Sequence, residues 1–233
     1  MSTLDLLCFG AHPDDVEIGM SGSIAKHTSQ GFRVGICDLT LAELSSNGTV
    51  TERQHEAQQA AQILGVQERI NLKFSDRGLH MNQEDIIGTI AQVIRQYKPT
   101  YVYVPYEEDR HPDHGEAARR VKEAVFNAGI RRYQYGDEKD EAHKVKQVFK
   151  YIINGTVKPD VLIDISSHVN QKRASLMAYQ TQFSPQEGQV ETRLNTGFID
   201  VVLGRDQWFG KMKNVAYAEG FMVEEPLLLP SFE

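Results

Sequence analysis

Cysteine is nearly absent: Cys8 and Cys37 are the only two in 233 residues. Both sit in apolar, strand-like runs, which predicts buried, reduced thiols and excludes the disulfide framework of small secreted domains. Long hydrophobic runs are missing too. No stretch approaches the ~18 consecutive apolar residues of a membrane span, and no basic region or cleavage signal precedes the first apolar strand. The expectation is a cytoplasmic protein with no membrane partner. There is no basic excess either. A net charge of −7 argues against nucleic acid as a partner, and Arg119-Arg120 and Arg131-Arg132 read as solvated helix faces. Linkers, repeats and low-complexity tracts are lacking, so residues 1–233 read as a single domain.

What the chain has is alternation. Strand-like runs at 4–9, Phe32–Leu39, Arg69–Phe74 and 100–104 are interleaved with helical segments at Glu17–Gln30, Glu52–Leu64, Gln83–Tyr97 and about Asp113–Phe126. Gly31 and Gly65 close the first two helices. The second half is less regular, with strands at Lys146–Ile153 and Val161–Ile165, helices at Ser167–Gln180 and Thr196–Lys211, and a further strand at Ala216–Val223. This order predicts an α/β fold with a mostly parallel β-sheet flanked by helices on both faces.

In such a sheet, the loops leaving the strands share one rim, and ligands bind there. The first loop reads Ala11-His12-Pro13-Asp14-Asp15 and the fourth His111-Pro112-Asp113-His114. The second carries Thr40 and Glu43, with Arg53 opening the next helix, and the third carries Asp76, Arg77 and Gly78. One His-Pro-Asp is explained by a turn and helix cap, with proline at the first helical position. A pair of them on one rim, with complementary ligand types, points to a metal. Two imidazoles, a carboxylate and an open position match the three-ligand pattern of catalytic zinc, although Fe(II) and Co(II) suit the same donors. Asp14, beside the candidate ligand Asp15, is placed to act as a base. The imidazole left over and its neighbour, His111 and Asp113, suit an acid and the carboxylate that orients it. Spacing alone does not decide which of His111 and His114 is the ligand. The remaining histidines (His27, His55, His80, His143, His168) lack such company.

These motifs resemble the zinc-dependent N-acetylglucosaminyl deacetylases of the PIG-L (LmbE-like) family, which includes deacetylases of mycothiol and bacillithiol synthesis. Thr40-Leu41-Ala42-Glu43, Arg53-Gln54-His55-Glu56-Ala57 and Tyr217-Ala218-Glu219-Gly220-Phe221 support the resemblance along the whole chain. It implies zinc on His12, Asp15 and His114, Asp14 as general base, and His111, held by Asp113, as general acid or oxyanion stabiliser. It also implies a Rossmann-like fold and a homo-hexamer. The length, Asp109-Arg110 and the stretch from Gly155 to Asp164 look most like the bacillithiol branch, which acts on N-acetylglucosaminyl malate. Ala42 stands where the family has glycine. The family's second-half residue near the oxyanion is left open between Lys144, Arg193 and Tyr179.

Arg53, Arg77 and Arg110 on the rim of an acidic chain suggest an anionic amino-sugar substrate, with Glu43 or Asp76 accepting sugar hydroxyls. Local pairing of these arginines with Glu43, Asp76 and Asp109 is the competing account. The functional expectation is metal-assisted hydrolysis of an acetamide. A bacillithiol-S-conjugate amidase with the same zinc chemistry is the nearest alternative, and a non-catalytic sugar- or nucleotide-binding module is a remote one. Gly10-Ala11-His12-Pro13-Asp14 lacks the Gly-x-Gly-x-x-Gly of a dinucleotide site, and its carboxylates repel a pyrophosphate.

Overall fold

A computed structural model describes residues 3–136, 141–184 and 186–228. The first strand, β1 (Leu6–Gly10), is buried along its whole length. It lies between β2 (Val34–Thr40) and β4 (Tyr101–Pro105) and runs parallel to both. Side chains alternate across a strand, so a strand covered on both faces must be apolar at every position. Leu7 and Phe9 pack with Ile90 and Ile94 of α3 (Gln83–Tyr97) and Val121 of α4 (Pro112–Ala128). Leu6 and Cys8 pack with Ile24 of α1 (Asp15–Ser29) and with Ala57 and Leu64 of α2 (Val50–Leu64).

Among the described residues the sheet has seven strands, ordered β3 (Glu68–Phe74), β2, β1, β4, β5 (Gln147–Tyr151), β7 (Ala218–Met222), β6 (Val161–Asp164). The first five are parallel, and β7 runs antiparallel to both β5 and β6. The expected α/β architecture is therefore present, with mixed pairing confined to one edge. The helix expected over Ser167–Gln180 is broken into α5 (Val169–Met177) and α6 (Gln180–Phe183). Tyr179 interrupts it: its backbone leaves the helical region and its side chain is fully buried, with the hydroxyl donating to Glu17 Oε1 at 3.0 Å. The last helix, α7, runs from Phe198 to Lys211 and starts after Gly197, whose φ of 87° suits a residue without a side chain.

Local signals explain where the site-bearing elements begin. Thr49 and Glu52 form a capping box at the start of α2. Helix α1 is kinked at Met20, and there Glu219 of β7 accepts the amide protons of Gly22 and Ser23 at 2.9 and 2.6 Å. Glu219 thus caps a helix that restarts after the kink, and Lys172 Nζ, 2.7 Å from both Glu219 and Asp206, neutralises it inside the protein. Gly19 lies against Tyr151, whose ring a Cβ there would approach to 2.1 Å. The chain goes to β2 on one side of β1 and to β4 on the other, so the crevice between the ends of β1 and β4 is the topological switch point. The two His-Pro-Asp loops leave the sheet at that crevice.

Candidate metal centre and substrate cavity

Asp14 and Asp15 begin α1, and His111 caps α4, with Pro112 in its first turn. These helix starts bring His12, Asp15 and His114 together, all buried. Asp15 lies between the two imidazoles: Oδ1 is 3.1 Å from His114 Nε2 and Oδ2 is 3.4 Å from His12 Nδ1. Asp15 Oδ2 also accepts the His12 amide proton at 2.9 Å. Ligand atoms of His12, His111 and His114 fall within 4.8 Å of one another, as do those of His12, Asp76 and Asp113.

The electrostatics show what this centre accommodates. Asp14, Asp15, Asp76, Asp109 and Asp113 crowd around the histidines, and among them only Asp14 and Asp113 have an arginine partner. Burial opposes the charge on His12, yet Asp113, Asp15 and Asp76 hold its pKa well above the ordinary value. Burial likewise opposes the charge on His114, but Asp15 and Asp109 raise it to about 9. Asp15, despite burial, is held well below the carboxylate range by His114 and His12. Protons on buried imidazoles thus do the neutralising here. A divalent cation on neutral imidazoles achieves the same balance with the same donors, so the residues fit a metal.

Asp14 differs from the other carboxylates in its backbone and its partner. It sits at φ 115°, ψ −23°, a left-handed conformation costly for a residue with a side chain. Burial raises its carboxyl pKa to about 7, against the opposing pull of Arg53. His111 is shifted the other way, down to about 4, by burial and by the charges on His12 and His114.

Several expected roles change. Asp113 does not orient His111 through its carboxylate. That carboxylate accepts the Arg77 amide at 2.7 Å and the Arg77 guanidinium at 3.0 Å, and lies 3.7 Å from His12. His111 instead turns back as the helix cap, its Nδ1 accepting the Asp113 amide proton at 3.3 Å. Arg53 lines the cavity but is buried and already partnered: it donates from Nε to the Pro13 carbonyl at 2.8 Å and pairs with Asp14 at 2.8 Å. Asp76 is committed to His12 at 3.1 Å and to the Leu44 amide at 3.2 Å. Glu43 accepts the Asp76 amide at 2.8 Å and does not line the cavity. Arg110 lines the cavity, exposed and without an acidic partner among the described residues. Ala42 adopts φ 53°, the backbone form that the family's glycine favours.

The cavity beside the centre measures about 470 Å³ and is lined by Asp14, Arg77, Arg110, His111 and Asn154, and by Thr192, Arg193 and Leu194 from the second half. Of the second-half candidates only Arg193 is there. Tyr179 is enclosed in the core, and Lys144 lines a separate cavity between α4 and β5. Sequence reasoning missed Asp109 as a support. Its Oδ1 is 3.0 Å from His114 Nδ1 and accepts the His111 amide at 2.8 Å, while Asn154 holds both its oxygens. A carboxylate behind a ligand histidine fixes the ring and raises its basicity. Its position two residues before His111 was the available signal.

Residues 7–126 match the PIG-L family, described as GlcNAc-PI de-N-acetylase. The chain is similar to the diacetylchitobiose deacetylase of Thermococcus kodakarensis, with 32% identity over 92% of this chain and 81% of the relative. It is 27% identical to a probable N-acetyl-alpha-D-glucosaminyl L-malate deacetylase 2 of Bacillus cereus over 73% of this chain and 80% of that one. It is equally similar, at 27% over 92% of this chain and 86% of the relative, to the 4-oxalmesaconate hydratase of Pseudomonas putida. Among solved structures, the conserved protein TT1542 of Thermus thermophilus superimposes with a TM-score of 0.89 at 34% identity, covering 99% of each chain.

Proposed function

The chain belongs to the PIG-L family, and from that premise we propose that it is a metal-dependent N-deacetylase. In this reading it hydrolyses the acetamide of an N-acetylglucosamine conjugate with an anionic aglycone, N-acetylglucosaminyl malate being the reference substrate. The carrying observation is Asp14: a buried carboxyl beside the candidate ligands, with its pKa raised to about 7 and its orientation fixed by Arg53. A base poised near the working pH is what amide hydrolysis requires.

His12, Asp15 and His114 would hold the metal, zinc first, with Fe(II) or Co(II) accepted by the same donors. The carboxylate behind His114 and its contact with Asp15 support it as the ligand over His111. A divalent metal held by these residues would supply Lewis-acid polarisation of the amide carbonyl and would lower the pKa of a bound water toward ~7. Asp14 takes the proton of the attacking water at its carboxylate and returns it to the departing glucosamine nitrogen. His111, neutral and accepting a backbone proton at Nδ1, carries its own proton on Nε2 and donates a hydrogen bond to the developing oxyanion. This replaces the proton-donor role expected from the sequence. Asp113 acts through Arg77, keeping that guanidinium at the cavity. Arg110 and Arg193 line the cavity as receptors for the aglycone's negative charge.

The bacillithiol pathway, a cytoplasmic location and a homo-hexamer belong to the same proposal. The buried free thiols of Cys8 and Cys37 support a reducing compartment. Among the described residues, no helix is long and apolar enough to cross a membrane. Assays of the metal-loaded protein on the acetylated malate glycoside, on a cysteinyl-glucosamine conjugate and on an unsaturated dicarboxylate separate deacetylase, conjugate amidase and hydratase. Acetate release dominates if the proposal holds, and sedimentation analysis reads the hexamer.

A further inference from the structure

The Thr192–Leu194 wall of the cavity belongs to a stretch between α6 and α7 whose described residues form no strand or helix to satisfy their backbone. Asn47, buried in the loop between β2 and α2, fills that role. Its Nδ2 donates to the Val190 carbonyl at 2.8 Å, and its Oδ1 accepts the Val190 amide proton at 2.9 Å. One side chain thus pairs with both backbone groups of Val190, as a neighbouring strand would. Asn195 completes the turn, accepting the Thr192 amide proton at 2.8 Å and donating to the Val190 carbonyl at 3.0 Å.

The anchor is itself held. The Asn47 carbonyl accepts Gln182 Nε2 at 2.9 Å. Next to it, Gly48 adopts φ 73° and lies so close to Thr181 that a Cβ would stand 2.8 Å from its side chain. Glu56 of α2 fixes Thr181 from the other side, accepting its amide and hydroxyl protons at 2.7 Å each. The result is a braced loop whose residues Leu44, Ser45 and Ser46 line the same cavity as Arg193. Arg193 has no acidic partner among the described residues, and Asn47 itself does not line the cavity.

We propose that Asn47 is a positioning residue for substrate specificity. It pins the backbone at Val190 so that Arg193 stands at the cavity to receive an anionic group carried by the N-acetylglucosamine. The inference rests on the deacetylase reading above. It predicts that Asn47→Ala raises KM for N-acetylglucosaminyl malate about tenfold, the scale of one or two lost hydrogen bonds. The kcat, and the rate on neutral methyl N-acetylglucosaminide, stay within about twofold of wild type, because no bond-breaking group is touched. Arg193→Gln, which removes the receiving charge itself, raises KM for the malate glycoside at least as much as Asn47→Ala. Calorimetric binding of both glycosides in an Asp14→Ala background reads the preference without turnover, so a failed deacetylase assay does not obscure it. Trypsin cleavage after Arg193 reads the pin directly and speeds up about tenfold in Asn47→Ala. Unchanged cleavage together with unchanged preference would overturn the proposal, as would an equal loss of kcat on both glycosides.

Discussion

Arg53 and Asp14 form a buried ion pair, guanidinium to carboxylate at 2.8 Å, with the guanidinium also resting 5.6 Å from the centre of the Tyr179 ring. The pair ties the first turn of α2 to the loop after β1, and it sets how readily Asp14 ionises. Burial favours the neutral acid, and Arg53 opposes burial.

Replacing Arg53 therefore shifts the pH dependence of the reaction. A base works only when deprotonated, so the rate rises with pH through the Asp14 pKa. That value is about 7 with Arg53 present, and a bound cation acts in the same direction as Arg53. Arg53→Gln removes the favourable charge and moves the acid limb of kcat/KM upward by about one unit or more. A pH–rate profile of the variant checks this, and a limb unmoved or displaced to lower pH would count against the pair's role.

Asp109 supports His114 from behind, 3.0 Å from Nδ1. Asp109→Asn should lower metal affinity about 10- to 100-fold while leaving the fold intact, as measured by competition with a chromophoric chelator. Unchanged affinity would mean that His114 needs no such support.

A second buried network, away from the reacting centre, controls stability. Arg69 of β3 pairs with Asp38 at 2.9 Å, with Glu17, and with the Tyr179 hydroxyl at 2.9 Å. Arg69→Met leaves two buried carboxylates unpaired and should cost about 3–5 kcal/mol in urea unfolding. The same site has a pH signature. Burial raises the Asp38 pKa from an ordinary 3.8 to about 6, against Arg69. The folded form then binds the proton more tightly than the unfolded chain. Its contribution to stability is complete below 3.8 and is lost as pH rises through about 6. Asp38→Asn should flatten that part of the stability curve, which urea titrations between these limits would reveal.

The repeating strands and helices, the rim, and the ligand and base candidates were legible because each carries a local signal: apolar runs, capping residues, a doubled His-Pro-Asp. What the sequence hid were the pairings chosen in three dimensions. Arg53 sits close to Glu43 in the chain, but the fold delivers it to Asp14. Asp113 follows His111 closely, yet proline in the first turn of α4 directs the imidazole onto a backbone amide and leaves the carboxylate for Arg77. The break at Tyr179 has no glycine or proline to announce it, since a buried hydroxyl contact outweighs helix propensity there. Arg193 reaches the cavity through Asn47, a contact across 143 positions of sequence that no local pattern encodes.

The most direct test of the account is acetate release from N-acetylglucosaminyl malate by the metal-loaded protein, run beside a chelated sample and Asp14→Ala. The account predicts turnover that disappears on chelation and falls at least about a hundredfold without the Asp14 carboxylate. Turnover undiminished in Asp14→Ala, or no acetate from a protein that binds one metal per chain, would contradict it.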